Sequence, residues 1–195
     1  TAARAQAAGA RAAMAELHSR WGADAVTWRY DPIVLTRATP PEYHLERVER
    51  LGCELRGVTA RCITSFVDLY RKTQRNLQPA LRGARTEVLE PDLGRDRALI
   101  TGMRDGLAAH EITLSACCEP ELTDVVPRAH CVDRELIGRL IGERLALPAR
   151  PTRKGCGCHA SVDIGAYDTC PRGCVYCYAN RSPQAGRDGA DLVIL

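Results

Sequence analysis

Three β-type segments, each followed by a helical one, are the feature that most constrains what this chain can fold into. Residues 25–30, Ala-Val-Thr-Trp-Arg-Tyr, carry β-branched and aromatic side chains and predict a first strand, stopped by Asp31-Pro32. Thr39-Pro40-Pro41-Glu42 predicts a helix start, with Thr39 as N-cap, proline at the first helical position and Glu42 at the capping-box position. Leu45, Val48 and Leu51 line its apolar face, and Gly52 is expected to end it. Residues 58–67 predict a second strand and residues 68–77 a short helix or ordered loop. Asp92 caps a further helix to about Ala109, with Leu99, Ile100, Met103 and Leu107 on its apolar side. Residues 111–116 predict a third strand that runs into Cys117-Cys118-Glu119. Asp133 then caps a helix with Leu136, Ile137, Leu140, Ile141 and Leu145 at helical spacing.

Strands alternating with helices imply a parallel sheet with right-handed crossovers, so the expected class is α/β. Three units are too few to close a barrel, and they suit an open sheet or a partial TIM-barrel-like one. Either way a site belongs at the carboxyl ends of the strands. Those ends carry Arg29 and Asp31, then Asp68, then Cys117 with Glu119. Ahead of the first strand, Ala2 to Arg20 is rich in helix formers, with Gly22 as its C-cap. A chain that opens in mid-helix without a cap reads as a piece of something longer, and the first strand is then expected to be an open edge.

The chemistry is concentrated at the other end, where Cys170, Cys174 and Cys177 stand at C-x₃-C-x₂-C with Tyr176 directly before the third thiol. Three thiols this close can grip three corners of one 4Fe-4S cluster. Ordinary ligation uses four thiolates, so three leave one iron open, as a catalytic site needs and a structural site avoids. Zinc is the second reading, although zinc sites usually pair two C-x₂-C hooks; disulfides are the third. With 45% hydrophobic and 26% charged residues, the composition is that of a soluble globular protein. No apolar run is long enough to span a bilayer, and Thr1 to Leu17 lacks the continuous apolar core of a signal peptide. A cytoplasmic chain is expected, without membrane contact, and its ten cysteines are then reduced thiols or metal ligands. The net charge of +3 is too small to argue for nucleic acid by itself. The proline-containing basic stretch around residues 147–154 divides the chain into a β/α unit, residues 1–147, and a cysteine-rich tail, residues 148–195.

The spacing of these thiols is similar to the signature of the radical S-adenosylmethionine (SAM) enzymes. More of the chain resembles one family: Trp28-Arg29-Tyr30-Asp31-Pro32-Ile33, the run Ser65 to Thr73, Cys131 to Ile137, Cys156-Gly157-Cys158, and Asp163 to Asn180. Together these resemble the prokaryotic family called domain of unknown function eighteen-forty-eight, over nearly the whole chain. The resemblance implies a radical SAM-like protein with a TIM-barrel-like core and its cluster motif at the C-terminal end. It further implies that SAM chelates the open iron, that Tyr176 stands beside the adenine, and that the bound SAM is cleaved to start radical chemistry on a substrate of unknown identity. An electron donor such as flavodoxin or ferredoxin would serve it. Members begin with a further stretch of roughly a hundred residues that nothing here matches, which implies an incomplete barrel. Arg29-x-Asp31-Pro32 and Tyr176-Cys177-Tyr178 also resemble the DNA-photoproduct lyase branch.

Arg29 and Asp31 are the candidate catalytic pair, since an arginine fork fits a carboxylate or phosphate; the alternative is a local ion pair with an Asp-Pro turn. Arg71, Lys72 and Arg75 fit a phosphate-bearing substrate or a solvated helix face. Glu119 is an acid–base candidate or a surface carboxylate. His159 is a reserve ligand, His44 and His110 read as structural, and Cys53 and Cys62 as buried inert thiols. Cys117 and Cys118, as neighbours on a strand, should point to opposite faces. Seven cysteines are counted with the family-like stretches; beyond the first three, Cys117, Cys131, Cys156 and Cys158 make the complement of a closed second site, a 4Fe-4S cluster or zinc, with Gly157 letting both flanking thiols face one centre, the alternative being that Cys117 and Cys131 are buried hydrophobes. The competing functions are a radical SAM-type enzyme, a zinc or iron–sulfur module without catalysis, and a nucleic-acid-acting protein related to photoproduct lyases.

Overall fold

The structure, a computed structural model, describes residues 2–169, 174–177 and 179, with side chains from residue 8 onward. Helix α1 (Ala2–Trp21) comes first. Strand β1 (Trp28–Ile33), helix α2 (Pro41–Leu55) and strand β2 (Arg61–Phe66) follow. Helices α3 (Arg71–Gly83) and α4 (Leu93–Ala108) precede strand β3 (Thr113–Ala116), and α5 (Arg134–Ile141) comes last. The three strands form one parallel sheet in the order β1-β2-β3, and the sheet is not closed. Residues 127–129 run beside β3 through a parallel bridge from Ala116 to Arg128.

Alternation along the strands divides the sheet into two faces. Trp28, Cys62 and Leu114 share one row and Tyr30, Thr64 and Ala116 another. Most of these pack with Val48 and Leu55 of α2 and with Leu99, Ile100, Met103 and Leu107 of α4 in one core. Arg29, Ile63 and Ser115 lie in the intervening row and face the other way. The helix layer therefore holds the apolar core, and the opposite face is left for polar groups and thiols. α2 and α4 approach closely: a Cβ added to Gly52 would stand 2.8 Å from Leu107, and one added to Gly102 2.8 Å from Leu45.

Several elements differ from the sequence expectation. Asp31-Pro32 does not stop β1, which continues to Ile33 through a register shift between Tyr30 and Ile33. β1 lies at the edge of the sheet, where proline's missing N–H leaves no ladder bond unmade. Thr39 does not cap α2. Its hydroxyl donates to the Val34 carbonyl at 2.7 Å and pairs with Thr36 Oγ1 at 2.9 Å, so Pro40 takes the cap position. Gly52 lies inside α2 rather than at its end. Asp92 and Asp133 do cap α4 and α5, accepting from Arg95 N at 2.9 Å and from Glu135 N at 3.0 Å. α5 ends at Ile141, before Leu145, with Gly142 left-handed at φ 73°, and its apolar side is not in the core: Leu140 and Ile141 are exposed.

His44 of α2 is fully buried between Tyr30 and Tyr43. Its Nε2–H points to the Val34 carbonyl at 3.4 Å, so Nδ1 accepts from the Tyr30 hydroxyl at 2.8 Å. Burial lowers its pKa from the ordinary 6.5 against the smaller opposing pull of the Val34 and Thr39 backbone. The folded state holds the ring neutral while the unfolded chain takes up a proton below pH 6.5, so stability falls as the pH drops through that value. The expected outcome is a urea midpoint that declines on acidification more steeply in the native chain than in His44→Gln. Ile100→Ala, at a fully buried position, should lower unfolding free energy by about 2–5 kcal/mol in the same assay.

Candidate metal centre at the strand ends

The face opposite the helices is organised by Arg29. Its Nη2 donates to Asp31 Oδ2 at 2.7 Å and its Nη1 reaches Cys131 Sγ at 2.9 Å. Asp31 is further held by the Ser65 hydroxyl from β2. Partial burial disfavours charge on Arg29, but the bonds to Asp31 and Cys131 outweigh it and raise its pKa. The guanidinium thus joins the edge strand to a loop 102 residues further along the chain.

That loop arrives there because two parallel segments end side by side. β3 runs into Cys117, the bridge at Ala116–Arg128 runs on toward Cys131, and the two sulfurs stand 3.6 Å apart. Cys118 adopts a left-handed φ of 62°, which brings its sulfur within 3.7 Å of Cys117 Sγ. The expected split of these neighbours to opposite faces is therefore overturned: a strand rule does not bind a residue that has left extended geometry. The tail supplies the remaining thiols. Ala149 pairs antiparallel with His159, and His159 N donates to the Val132 carbonyl at 3.1 Å. Cys131 N then donates to Cys158 Sγ at 3.1 Å and Cys158 N to Cys156 Sγ at 3.4 Å. The side chain of Cys156 also meets those of Cys118 and Cys158. Gly157 is needed here, because a Cβ would stand 2.9 Å from Arg128 and 3.0 Å from His130. Arg153 Nε donates to Cys118 Sγ at 3.0 Å, and the same guanidinium pairs with Asp68 at the end of β2.

The sulfurs titrate unequally. The Cys117 contact and partial burial push the Cys131 thiol up against the pull of Arg29. Burial raises Cys118 and Cys158. Cys156 goes the other way: burial opposes its ionisation, but hydrogen bonds from Thr152 and Cys158 outweigh that and bring it down to about 6. Among the described residues, no three His, Cys, Asp or Glu side chains already stand as a formed metal shell.

Of the C-x₃-C-x₂-C stretch, Cys174 and Cys177 are described, and Cys170 lies outside the described residues. Cys177 N donates to the Cys174 carbonyl at 3.1 Å, closing a turn that sets both half-buried thiols on one short loop. Val175 anchors this loop against Val34, Leu77 and Leu81, which tie it to the end of β1 and to α3. Burial, the Cys174 thiol and the Asp31 carboxylate push the Tyr176 phenol up to about 12. Asp31 thus pairs with Arg29, and its charge also acts on Tyr176.

Other candidates fall nearby or elsewhere. Glu119 is no free surface carboxylate: its Oε1 accepts from Phe66 N at 2.8 Å, and burial lifts it to about 7 against that bond, with Glu121, Asp96 and Asp31 adding to the rise. His159 turns its Nδ1 toward Val132 O and Arg134 N and stacks on His130 with centroids 5.4 Å apart. Arg71 and Arg75 are on the exposed side of α3. Cys62 is buried and its thiol is pushed up to about 12 by burial, whereas Cys53 is exposed on α2, against expectation. Sequence reasoning missed Arg153 and the inward turn of Cys118. Only the basic Arg153-Lys154-Gly155 beside Cys156 hinted at the first, and Gly155, left-handed at φ 77° and close to Cys118, marks the contact.

The model of one protein family, Domain of unknown function (DUF1848), matches residues 4–179. The chain belongs to that family. No curated protein matches it, and no solved structure does. In this member of the family the matched stretch takes in the sheet, the thiols of residues 117–158 and the loop at 174–177 alike.

Val175 supplies an apolar contact of that loop with the Val34, Leu77 and Leu81 cluster. Val175→Asp should loosen it and speed proteolytic cleavage after residue 160, while the unfolding free energy of the sheet changes by less than about 1 kcal/mol. Mass spectrometry of the fragments measures the first effect and chemical denaturation the second.

Proposed function

We propose that this chain carries the cluster-binding and SAM-facing part of a radical SAM-type enzyme, on a sheet that belongs to a larger β/α barrel. The observation that supports it most is the packing of Val175, between Cys174 and Cys177, against the cluster of Val34, just past the carboxyl end of β1, where an α/β sheet carries its chemistry. The donor set fits. Cys174 and Cys177 are soft thiol ligands on one turn, and thiolates are what iron–sulfur clusters take.

Cys170, Cys174 and Cys177 would hold a 4Fe-4S cluster, and the fourth iron would be left to SAM. When bound, cluster and SAM supply the one-electron chemistry that starts a radical reaction, with a flavodoxin- or ferredoxin-like donor as the electron source. The protein's own contribution is positioning. Val175 fixes the loop over the strand ends. Asp31 and Cys131 hold the Arg29 fork in place, so that it can meet a carboxylate or phosphate without reorganising. Tyr176 offers a half-buried ring face at the same spot.

Anaerobic reconstitution with iron and sulfide, followed by electron paramagnetic resonance with and without SAM, tests this reading. A reduced-cluster signal that changes on adding SAM, and that Cys174→Ala or Cys177→Ala abolishes, is expected. A signal indifferent to SAM would overturn the enzyme reading.

A further inference from the structure

We infer that Cys117, Cys131, Cys156 and Cys158 bind a single tetrahedral divalent ion of the zinc class, separate from the C-x₃-C-x₂-C loop and independent of its function. The first support is spacing. A tetrahedral ion with sulfur bonds of about 2.3 Å holds its sulfurs about 3.8 Å apart. Cys117 and Cys131 already stand at 3.6 Å, nearly the edge of such a tetrahedron. A cubane cluster spreads its thiolates much farther, so these two would have to separate to accept one.

Electrostatics provides the second support. Four thiolates around a divalent ion carry a net charge of two minus, which a partly buried site must offset. Two guanidiniums are hydrogen-bonded to this group of sulfurs, Arg29 to Cys131 at 2.9 Å and Arg153 to Cys118 at 3.0 Å, while each also pairs with a carboxylate, Asp31 and Asp68. Their donors lie against the sulfurs, where thiolate charge would develop. Backbone N–H groups of Cys131 and Cys158 also point at sulfurs, at 3.1 and 3.4 Å, as outer-shell donors to metal-bound thiolates do.

Five thiols meet here, and four are needed. Cys118 is the one left over: it follows Cys117 directly, so one ion could take both only by straining the peptide between them. Cys158 is buried and accepts a hydrogen bond from the backbone N–H of Cys131. Rotation of the Cys156 and Cys158 side chains, on either side of Gly157, would complete the shell. The ion would then fasten the tail to the ends of β3 and of the segment beside it. Each bound thiol gives up its proton to solvent as the ion enters, with no change of oxidation state.

The test uses the full chain carrying Cys174→Ala and Cys177→Ala, so that the other motif cannot contribute. After anaerobic purification and dialysis it should retain one equivalent of zinc. Cobalt titration should give a thiolate-to-cobalt charge-transfer band that saturates at one equivalent, with the visible bands of a tetrahedral site. Adding Cys117→Ala, Cys131→Ala, Cys156→Ala or Cys158→Ala should remove the metal, whereas Cys118→Ala should keep it. Four results would each overturn the inference: no charge-transfer band in the Cys174→Ala/Cys177→Ala protein, a cluster spectrum after iron and sulfide loading of that protein, metal loss with Cys118→Ala but not Cys158→Ala, or a Cys117–Cys131 disulfide in anaerobically alkylated peptides. Where a further alanine variant fails to fold, cobalt binding by the Cys174→Ala/Cys177→Ala protein decides. Because Cys174 and Cys177 are absent throughout, these results stand apart from the radical reading.

Discussion

The fork of Arg29 is the interaction on which the functional face depends. One guanidinium nitrogen is committed to Asp31 on its own strand and another to Cys131, far along the chain. Asp31 is itself shared with Ser65 of the neighbouring strand. Removing this charge would leave a partly buried carboxylate and the Cys131 thiol without their common partner, and the segment carrying Cys131 would keep its backbone pairing with β3 but lose its tie to β1. A planar five-donor group can serve two directions at once, which a lysine ammonium on the same stem could not do with the same geometry.

The fork can be held so firmly because the helix face is finished independently. Trp28 and Tyr30 alternate with Arg29 and Asp31, so the side chains that bury the sheet against α2 and α4 are not those that make the site. The apolar core and the polar, thiol-bearing groups thus occupy opposite faces of the same strands.

Much of this arrangement was legible in the sequence. The parallel order followed from alternating β-branched and amphipathic segments, and the aspartate caps of α4 and α5 followed from side chains that bond only to local backbone. Cys117 and Cys131, two of the four thiols expected at a second site, stand 3.6 Å apart. The differences depend on tertiary partners. Asp31-Pro32 reads as a strand stop, which it is not on an edge. Thr39 reads as a cap, but the Val34 carbonyl and Thr36 claim its hydroxyl. α5 shows the same limit in reverse, since its apolar spacing makes a helix without burying the face it describes. The strand rule that puts Cys117 and Cys118 on opposite faces lapses two residues past the end of β3, where the φ of Cys118 is positive. Arg153 carries no pattern of its own, and only the fold brings it to a sulfur.

The account stands on the claim that the C-x₃-C-x₂-C loop delivers its iron to the carboxyl end of β1. The most direct measurement is an anomalous difference map at the iron edge, from crystals of anaerobically reconstituted protein. The account predicts an iron peak bound by the Cys174 and Cys177 sulfurs, beside Tyr176 and facing Asp31. Iron bound only by Cys117 and its neighbours, or a loop peak turned away from the strand ends, would contradict it.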